Sequence, residues 1–230
     1  MNNQHRRDAV SFDASYFEKA AAEGRHYTVC ESFEHAIKVN LWGSPESVSG
    51  EGSTHKDTVA LREKISKILE FLNIKSLLDV PCGDFGWLSM VPFHDIHYIG
   101  MDILKPLIEQ HQKKYADHPG RQFIQGNLLE DSLPQADMIL CRDCLVHFSN
   151  DDILKALHKF KSSKSSYLLT TTFTACTENI DINTGDWRPI NLTLPPFNLP
   201  ASEVILEEGC LQNNGLYSDK SLGLWKLESL

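Results

Sequence analysis

The chain has 230 residues, of which 41% are hydrophobic and 23% charged, with a formal charge of −9; this fits one soluble domain around a single core and excludes an intrinsically disordered chain. The acidic balance argues against nucleic acid as a partner, because the best basic runs, HQKKY (111–115) and KFKSSK (159–164), read as solvated helix faces. No apolar run reaches the roughly 18 residues needed to cross a bilayer, and MNNQHRRDAV lacks the apolar segment of a secretory signal, so a cytoplasmic protein with no membrane partner is expected.

Residues 1–72 read as a helical cap. FDASYFEKAAAE and FEHAIKVNLW place apolar residues at three- and four-residue spacings. GSPESVSGEGSTH (43–55) is too rich in Gly and Ser for regular structure and reads either as a lid or as a plain surface loop. The next stretch predicts a helix with Val59, Leu61, Ile65, Ile68, Leu69 and Leu72 as its stripe, capped by Ser53, Thr54 or Asp57. From residue 73 the pattern becomes that of a core, with an irregular insertion at 174–202. Strands are predicted over 76–80, 97–102, 122–127, 137–142, 166–173, 203–208 and 221–227, with helices LKPLIEQHQKKYA and DDILKALHKFK among them. Alternating strands and helices imply an α/β fold, a mainly parallel Rossmann-like sheet with helices on both faces. Six cysteines spread along the chain read as free thiols.

Ligands of such sheets bind beyond the carboxyl ends of the strands. The first strand ends at Asp79 and runs into VPCGDFGW, where Gly83 permits positive φ or close approach of a ligand to main-chain N–H groups at a following helix N-terminus. A lone Gly-x-x-Gly also marks ordinary turns. Asp102 closes the second strand 19 residues beyond Gly83 (102 − 83), the offset at which an acidic side chain meets ribose hydroxyls; it also suits a helix cap. Asn127 ends the third run and can present its amide to an adenine edge, with Ile103 and Leu128 as apolar walls. Neither a P-loop nor G-x-G-x-x-G is present, which counts against a nucleoside triphosphate and a nicotinamide dinucleotide.

LLDVPCGDFGW, YIGMD, FIQGN and ADMILCRDCLVHF stand in the order and spacing of the class I S-adenosylmethionine-dependent methyltransferases, which the chain resembles from about Ser76 to Phe173. PCGDF, CRDCLVH and TGDWRPINL resemble a bacterial branch of that superfamily. The resemblance implies a seven-stranded sheet with its last strand antiparallel, and S-adenosylmethionine as cofactor with S-adenosylhomocysteine as product. It assigns Asp79 and the Cys82–Asp84 backbone to the methionine portion, Asp102 to the ribose and Asn127 to the adenine. Asp84 either balances the donor's positive charges or is a helix N-terminal acid. The sequence departs from the family pattern where Pro81 and Phe85 replace two glycines and Asn127 replaces the commoner Asp.

The end of the fourth strand, CRDCLVHF, faces the acceptor in this family. His147 is the candidate base for an oxygen or nitrogen nucleophile, or else packs beneath the cofactor. Arg142 and Asp143 recognise a polar acceptor or pair with each other. Trp187 and Arg188 in TGDWRP offer a stacking face and a planar donor fork as an acceptor wall, the alternative being a surface loop pinned by its Trp. Cys141-x-x-Cys144-x-x-His147 has a zinc-like spacing, but buried core thiols explain it without a metal. The expected function is methyl transfer to a small polar acceptor; a non-catalytic binder of the same nucleoside and a methyltransferase of protein or RNA are the alternatives.

Overall fold

The computed structural model describes residues 11–230, so the first ten residues of the expected cap, from which a signal segment was excluded, lie outside the described residues. In chain order the elements are helices α1 (Tyr16–Ala22), α2 (Val29–Lys38) and α3 (Val59–Phe71), strands β1 (Ser76–Asp79) and β2 (His97–Asp102), α4 (Lys105–Lys114), β3 (Arg121–Gln125), β4 (Met138–Cys141), α5 (Asn150–Ser162), β5 (Tyr167–Phe173), β6 (Val204–Glu207), the single-turn α6 (Gln212–Gly215) and β7 (Lys220–Lys226). The strands form one sheet in the order β3-β2-β1-β4-β5-β7-β6. β1 through β5 pair in parallel, and β7 runs antiparallel to both β5 and β6. The sheet therefore grows one way from β1 to β3 and the other way from β4, which opens a crevice between the ends of β1 and β4.

Successive side chains of a strand point to opposite faces, so neighbours in β1 serve different cores. Leu77 joins the cluster in which α3 (Leu61, Ile65, Leu69) and α4 (Ile108) pack on Tyr98 and Phe123. Leu78 joins the other cluster, in which α5 (Ile153, Ala156, Phe160) packs on Ile139, Leu168 and Trp225. Burial on both faces explains why SLL and MILC read as unbroken apolar runs rather than alternating ones. β6 lies on the sheet edge and alternates between half-buried and exposed positions.

Three local expectations are corrected. No α-helix follows β1: between residues 80 and 96 there is only a single 3-10 turn, Leu88–Met90. Pro81 and the positive φ of Gly83 (51°) and Phe85 (53°) interrupt helical geometry, and Phe85, Trp87 and Leu88 fill the space a helix would take against the sheet. Helix α3 begins after Thr58 with no side-chain cap, not at Ser53, Thr54 or Asp57, and Val59 in its first turn is 50% exposed. Helix α2 starts four residues ahead of the apolar pattern, because Thr28 and Glu31 form a reciprocal capping box.

Candidate active site: two cavities that meet at His147

The tips of β1, β2 and β3 and the turn after β4 line one cavity of about 990 Å³, its mouth included. Asp79, Asp102 and Asn127 border it, with Ile103, Leu104 and Leu128 as apolar walls. Asp79 is buried and accepts the Tyr98 hydroxyl at 2.6 Å; burial pushes its carboxyl up to about 8. Asp102 is buried too, and desolvation raises its carboxyl above the ordinary range. Its Oδ2 accepts from the Gly83 N–H and its Oδ1 from the Leu104 N–H, both at 2.9 Å, so it ties the β1 loop to the start of α4. Leu104 is the N-cap of α4 and has no side-chain cap, so Asp102 braces the approach to the helix without capping it, and it stands on the cavity wall. Asn127 folds its own turn, its Oδ1 accepting from the Leu129 N–H.

The glycine loop is built differently from the expectation. The Cys82 N–H donates to the Met101 carbonyl and the Gly83 N–H to Asp102, so neither is turned toward a ligand, although both residues line the cavity. What requires a glycine at position 83 is the positive φ together with Ser49, whose Oγ would lie 2.2 Å from an added Cβ. Ser49 belongs to the 43–55 segment, which therefore closes on this loop. Asp84 is the second attachment: its Oδ2 accepts from the Ser47 hydroxyl (2.6 Å) and the Val48 N–H (3.0 Å), and its Oδ1 from the Gly86 N–H. It does not line the cavity, and its contacts hold the 43–55 segment to the loop after β1.

After β4 the chain turns at Asp143, whose φ is 53°, into a 3-10 turn over Leu145–His147. Arg142 is buried and donates to Glu208 through Nε (3.0 Å) and Nη2 (2.6 Å), while Nη2 also reaches the Gly52 carbonyl and Nη1 the Ser53 hydroxyl. Lys220 joins this group, 2.6 Å from Asp143 and 3.3 Å from Glu208. Burial alone would raise the Asp143 carboxyl, but Arg142 and Lys220 outweigh it and hold it at about 2. Of the two readings for Arg142 and Asp143, mutual pairing is present, at 3.3 Å, and both residues border the first cavity as well.

The 184–189 loop is stitched onto that turn. Gly185 N–H donates to the His147 carbonyl, Arg188 N–H to Val146, and His147 Nδ1 lies 2.8 Å from the Asp186 carbonyl. Nδ1 must carry the proton to make that bond, which leaves the Nε2 lone pair free to accept. Burial pushes the imidazole down to about 4, so it is neutral at ordinary pH. The Asp186 carboxylate receives the N–H groups of Phe17 and Glu18 and so holds the first turn of α1 against the same loop. Arg188 spends its guanidinium on the Leu145 and Ile180 carbonyls and on Asn150, and it borders neither cavity. Trp187 does line a cavity, a second one of about 930 Å³ with its opening, together with Trp42, Phe173, Tyr217, Asp143 and Lys220. Trp42, Ser49, Asp143 and His147 border both cavities and form the partition between them.

The sequence reading did not reach the roof. Val29, Phe33 and Ile37 recur every four residues on α2 and cover the first cavity with Trp42; Phe33 and Ile37 fall within the stretch read as helical, Val29 lies ahead of it, and nothing in the spacing says which surface the stripe would meet. Tyr217, just ahead of β7, and Lys220, its first residue, carried no signal at all. Among the described residues no group of three or more His, Cys, Asp or Glu side chains is gathered as a metal ion would need.

Residues 77–163 match a family model described as a methyltransferase domain. No curated protein matches the sequence. Among solved structures, the Burkholderia thailandensis 1,6-didemethyltoxoflavin-N1-methyltransferase with bound 1,6-didemethyltoxoflavin and S-adenosylhomocysteine is 13% identical, with 95% of this chain and 93% of that one covered and a TM-score of 0.59. The methyltransferase domain of bacterial CtHen1 is 12% identical over 75% of this chain and all of that one, with a TM-score of 0.55. Human N-acetylserotonin methyltransferase in complex with SAM is 10% identical over 93% of this chain and 59% of its own, also at 0.55. At these identities the likeness establishes the fold alone, a Rossmann-like α/β sheet, and residues 77–163 are similar to a methyltransferase domain.

Proposed function

We propose that the first cavity takes S-adenosylmethionine and the second takes the molecule to be methylated, a small polar acceptor reacting at oxygen or nitrogen. The observation that carries this reading is the convergence of Asp79, Asp102 and Asn127, from three neighbouring parallel strand ends, on one cavity at the crevice where strand order reverses. The donor set fits. Each Asp102 oxygen accepts one N–H and keeps a second lone-pair site, enough for two sugar hydroxyls. Ile103, Leu104 and Leu128 give the base apolar faces, and the buried Asp79 offers an ionisable partner for a cationic group. The S-adenosylhomocysteine held by the Burkholderia structure of the same fold supports the choice of nucleoside.

When bound, the donor supplies an already activated methyl group, whose transfer to an acceptor lone pair breaks a carbon–sulfur bond and leaves its electron pair on sulfur. The chain's own contribution is then orientation and the exclusion of water, for which the α2 roof and the 43–55 segment serve. His147 Nε2, in the partition between the cavities, receives the proton that the acceptor loses and passes it to solvent, one per turnover. An imidazole held near 4 is a weak base, so it acts on an acceptor proton that becomes acidic as the new bond forms.

Calorimetry with S-adenosylmethionine and S-adenosylhomocysteine tests the donor site. Asp102→Asn keeps the shape and one acceptor oxygen and weakens both ligands about tenfold, near 1.4 kcal/mol. Unchanged affinity in that variant removes Asp102 from the site, and no binding to the parent protein removes the donor. A labelled-methyl screen of small-molecule extracts distinguishes an enzyme from a protein that only binds.

A further inference from the structure

The second cavity has a composition of its own. Trp42, Phe173, Trp187 and Tyr217 supply its apolar walls from four separate segments of the chain. Trp187 meets Tyr217 edge-on at 4.9 Å, and Phe173 sits at 6.1 Å from Trp187 and 6.0 Å from Tyr217. Phe173 is buried and completes the core, whereas Trp42, Trp187 and Tyr217 are each only partly buried and keep surface toward the cavity. Trp42 is fixed there by Gly50, at which an added Cβ would lie 3.0 Å from the Trp42 Cβ, and it stands 5.2 Å from the His147 ring. The buried polar end is Asp143 with Lys220, 2.6 Å apart, and the exposed, solvated Glu51 borders the cavity as well.

The charges at that polar end are already matched. Lys220 is held between Asp143 and Glu208, and Asp143 between Lys220 and Arg142. A carboxylate or phosphate would have to displace one of these buried partners to reach the cation, and an alkylammonium would have to do the same for the anion. A neutral ring has no such cost, and aromatic walls reward a flat face in van der Waals contact and in the electrostatics of ring edges and faces.

Resting on the reading of this cavity as the acceptor site, we infer that the acceptor is a flat, uncharged aromatic or heteroaromatic molecule that carries its hydroxyl or ring N–H on the edge turned to His147. A hydroxyl or N–H conjugated with a ring is also more acidic than an aliphatic one, which suits the weakly basic imidazole that faces it.

The test compares two alcohols of matched size, 2-naphthol and its saturated counterpart decahydro-2-naphthol, with glutarate as the charged control. Each is titrated calorimetrically into the protein in the presence of S-adenosylhomocysteine. The expected result is 2-naphthol binding at least tenfold tighter than the saturated alcohol and than glutarate. Trp187→Leu and Tyr217→Leu each lower that affinity at least fivefold while S-adenosylhomocysteine binds as before, which also shows that the variants are folded. Equal affinity for the two alcohols, tightest binding of glutarate, or 2-naphthol binding that ignores both substitutions would overturn the inference while leaving the donor site standing. Failure of S-adenosylhomocysteine to bind the parent protein would instead overturn the donor reading and this one with it.

Discussion

The two cavities share a partition but are built by opposite means. The first is made of strand ends: Asp79, Asp102 and Asn127 each lie at or just beyond the tip of a parallel strand, so pairing of the sheet alone brings them together. The second is made of loops and strand ends, with Trp42 from the cap, Phe173 from the end of β5, Trp187 from the insertion, Tyr217 from the turn ahead of β7 and Lys220 from the first residue of β7. A sheet positions its tips through backbone hydrogen bonds that survive side-chain change. Loops need dedicated side-chain attachments, and here these are Arg142 with Glu208 and Lys220, Asp84 on Ser47 and Val48, and Asp186 on the start of α1. Losing one attachment is therefore expected to disturb the second cavity and the 43–55 segment while the sheet stays intact.

Arg142 gives the largest break. Arg142→Met removes the partner that holds Glu208 with two charge-assisted hydrogen bonds and releases Gly52 and Ser53 as well. Stripping one member from a buried ion group costs about 3–5 kcal/mol, because the charge left behind stays desolvated. Denaturant unfolding should show that loss; a change below 1 kcal/mol would mean that Lys220 alone neutralises Glu208. Next comes His147, whose proton affinity is lower in the folded chain (about 4) than in the unfolded one (about 6.5). The unfolded chain therefore binds more protons between those values, so this residue's stabilisation is complete above about 6.5 and disappears as pH falls through 4. The span amounts to about 3 kcal/mol. Unfolding free energies for the parent and His147→Gln, compared between pH 7 and pH 4, should differ in slope by that amount. Parallel curves would show that His147 titrates normally.

The contrast between the cavities also explains what could be read beforehand. All seven strands fall within two residues of their sequence-based ranges; β1, β2, β4 and β5 were legible because a buried parallel strand is a short apolar run whatever surrounds it, and the acidic residue that ends β1 and β2 marks a tip. Sequence left Asp84 and Arg188 open between two roles because a charged side chain beside a ligand and one that pins a loop look alike there; the partners Ser47, Val48, Leu145 and Ile180 are visible only in the fold. Gly83 lines the cavity but also meets Ser49, 34 residues earlier (83 − 49), in a segment that sequence showed only as Gly- and Ser-rich. The missing helix after β1 was hidden because Phe85, Trp87 and Leu88 are as apolar as a helix face; their burial without helical geometry depends on Pro81 and on positive φ at Phe85.

Smaller changes sharpen the comparison. Asp84→Ala removes the acceptor for the Ser47 hydroxyl and the Val48 N–H, about 2 kcal/mol for hydrogen bonds to a charged group. The loss should be local, read as faster proteolytic cleavage within residues 43–55 at an unfolding midpoint that moves by only a few degrees. Cleavage at the parent rate would show that Ser49 against Gly83 and Arg142 on Gly52 and Ser53 hold the segment unaided.

The smallest effect is expected at Thr28, and it asks whether the roof of the first cavity belongs to the sheet or to the cap. Thr28 and Glu31 satisfy each other's main-chain N–H groups at the start of α2, so Thr28→Ala costs about 1 kcal/mol of helix stability. Val29, Phe33 and Ile37 on that helix cover the cavity, while the sheet tips beneath them have their own backbone support. If α2 closes over the ligand as a unit, destabilising the closed helix by about 1 kcal/mol lowers donor affinity by up to about fivefold, with global stability of the sheet unchanged. If α2 is instead clamped by its packing on the Phe148 cluster, through the Phe33–Phe148 ring contact at 6.1 Å, affinity stays as it was and the cost appears in the unfolding free energy. Amide hydrogen exchange across 29–38, run beside the calorimetric titration, separates the two cases: opening of α2 ahead of the β1 and β2 amides assigns the roof to the cap, and joint exchange assigns it to the sheet.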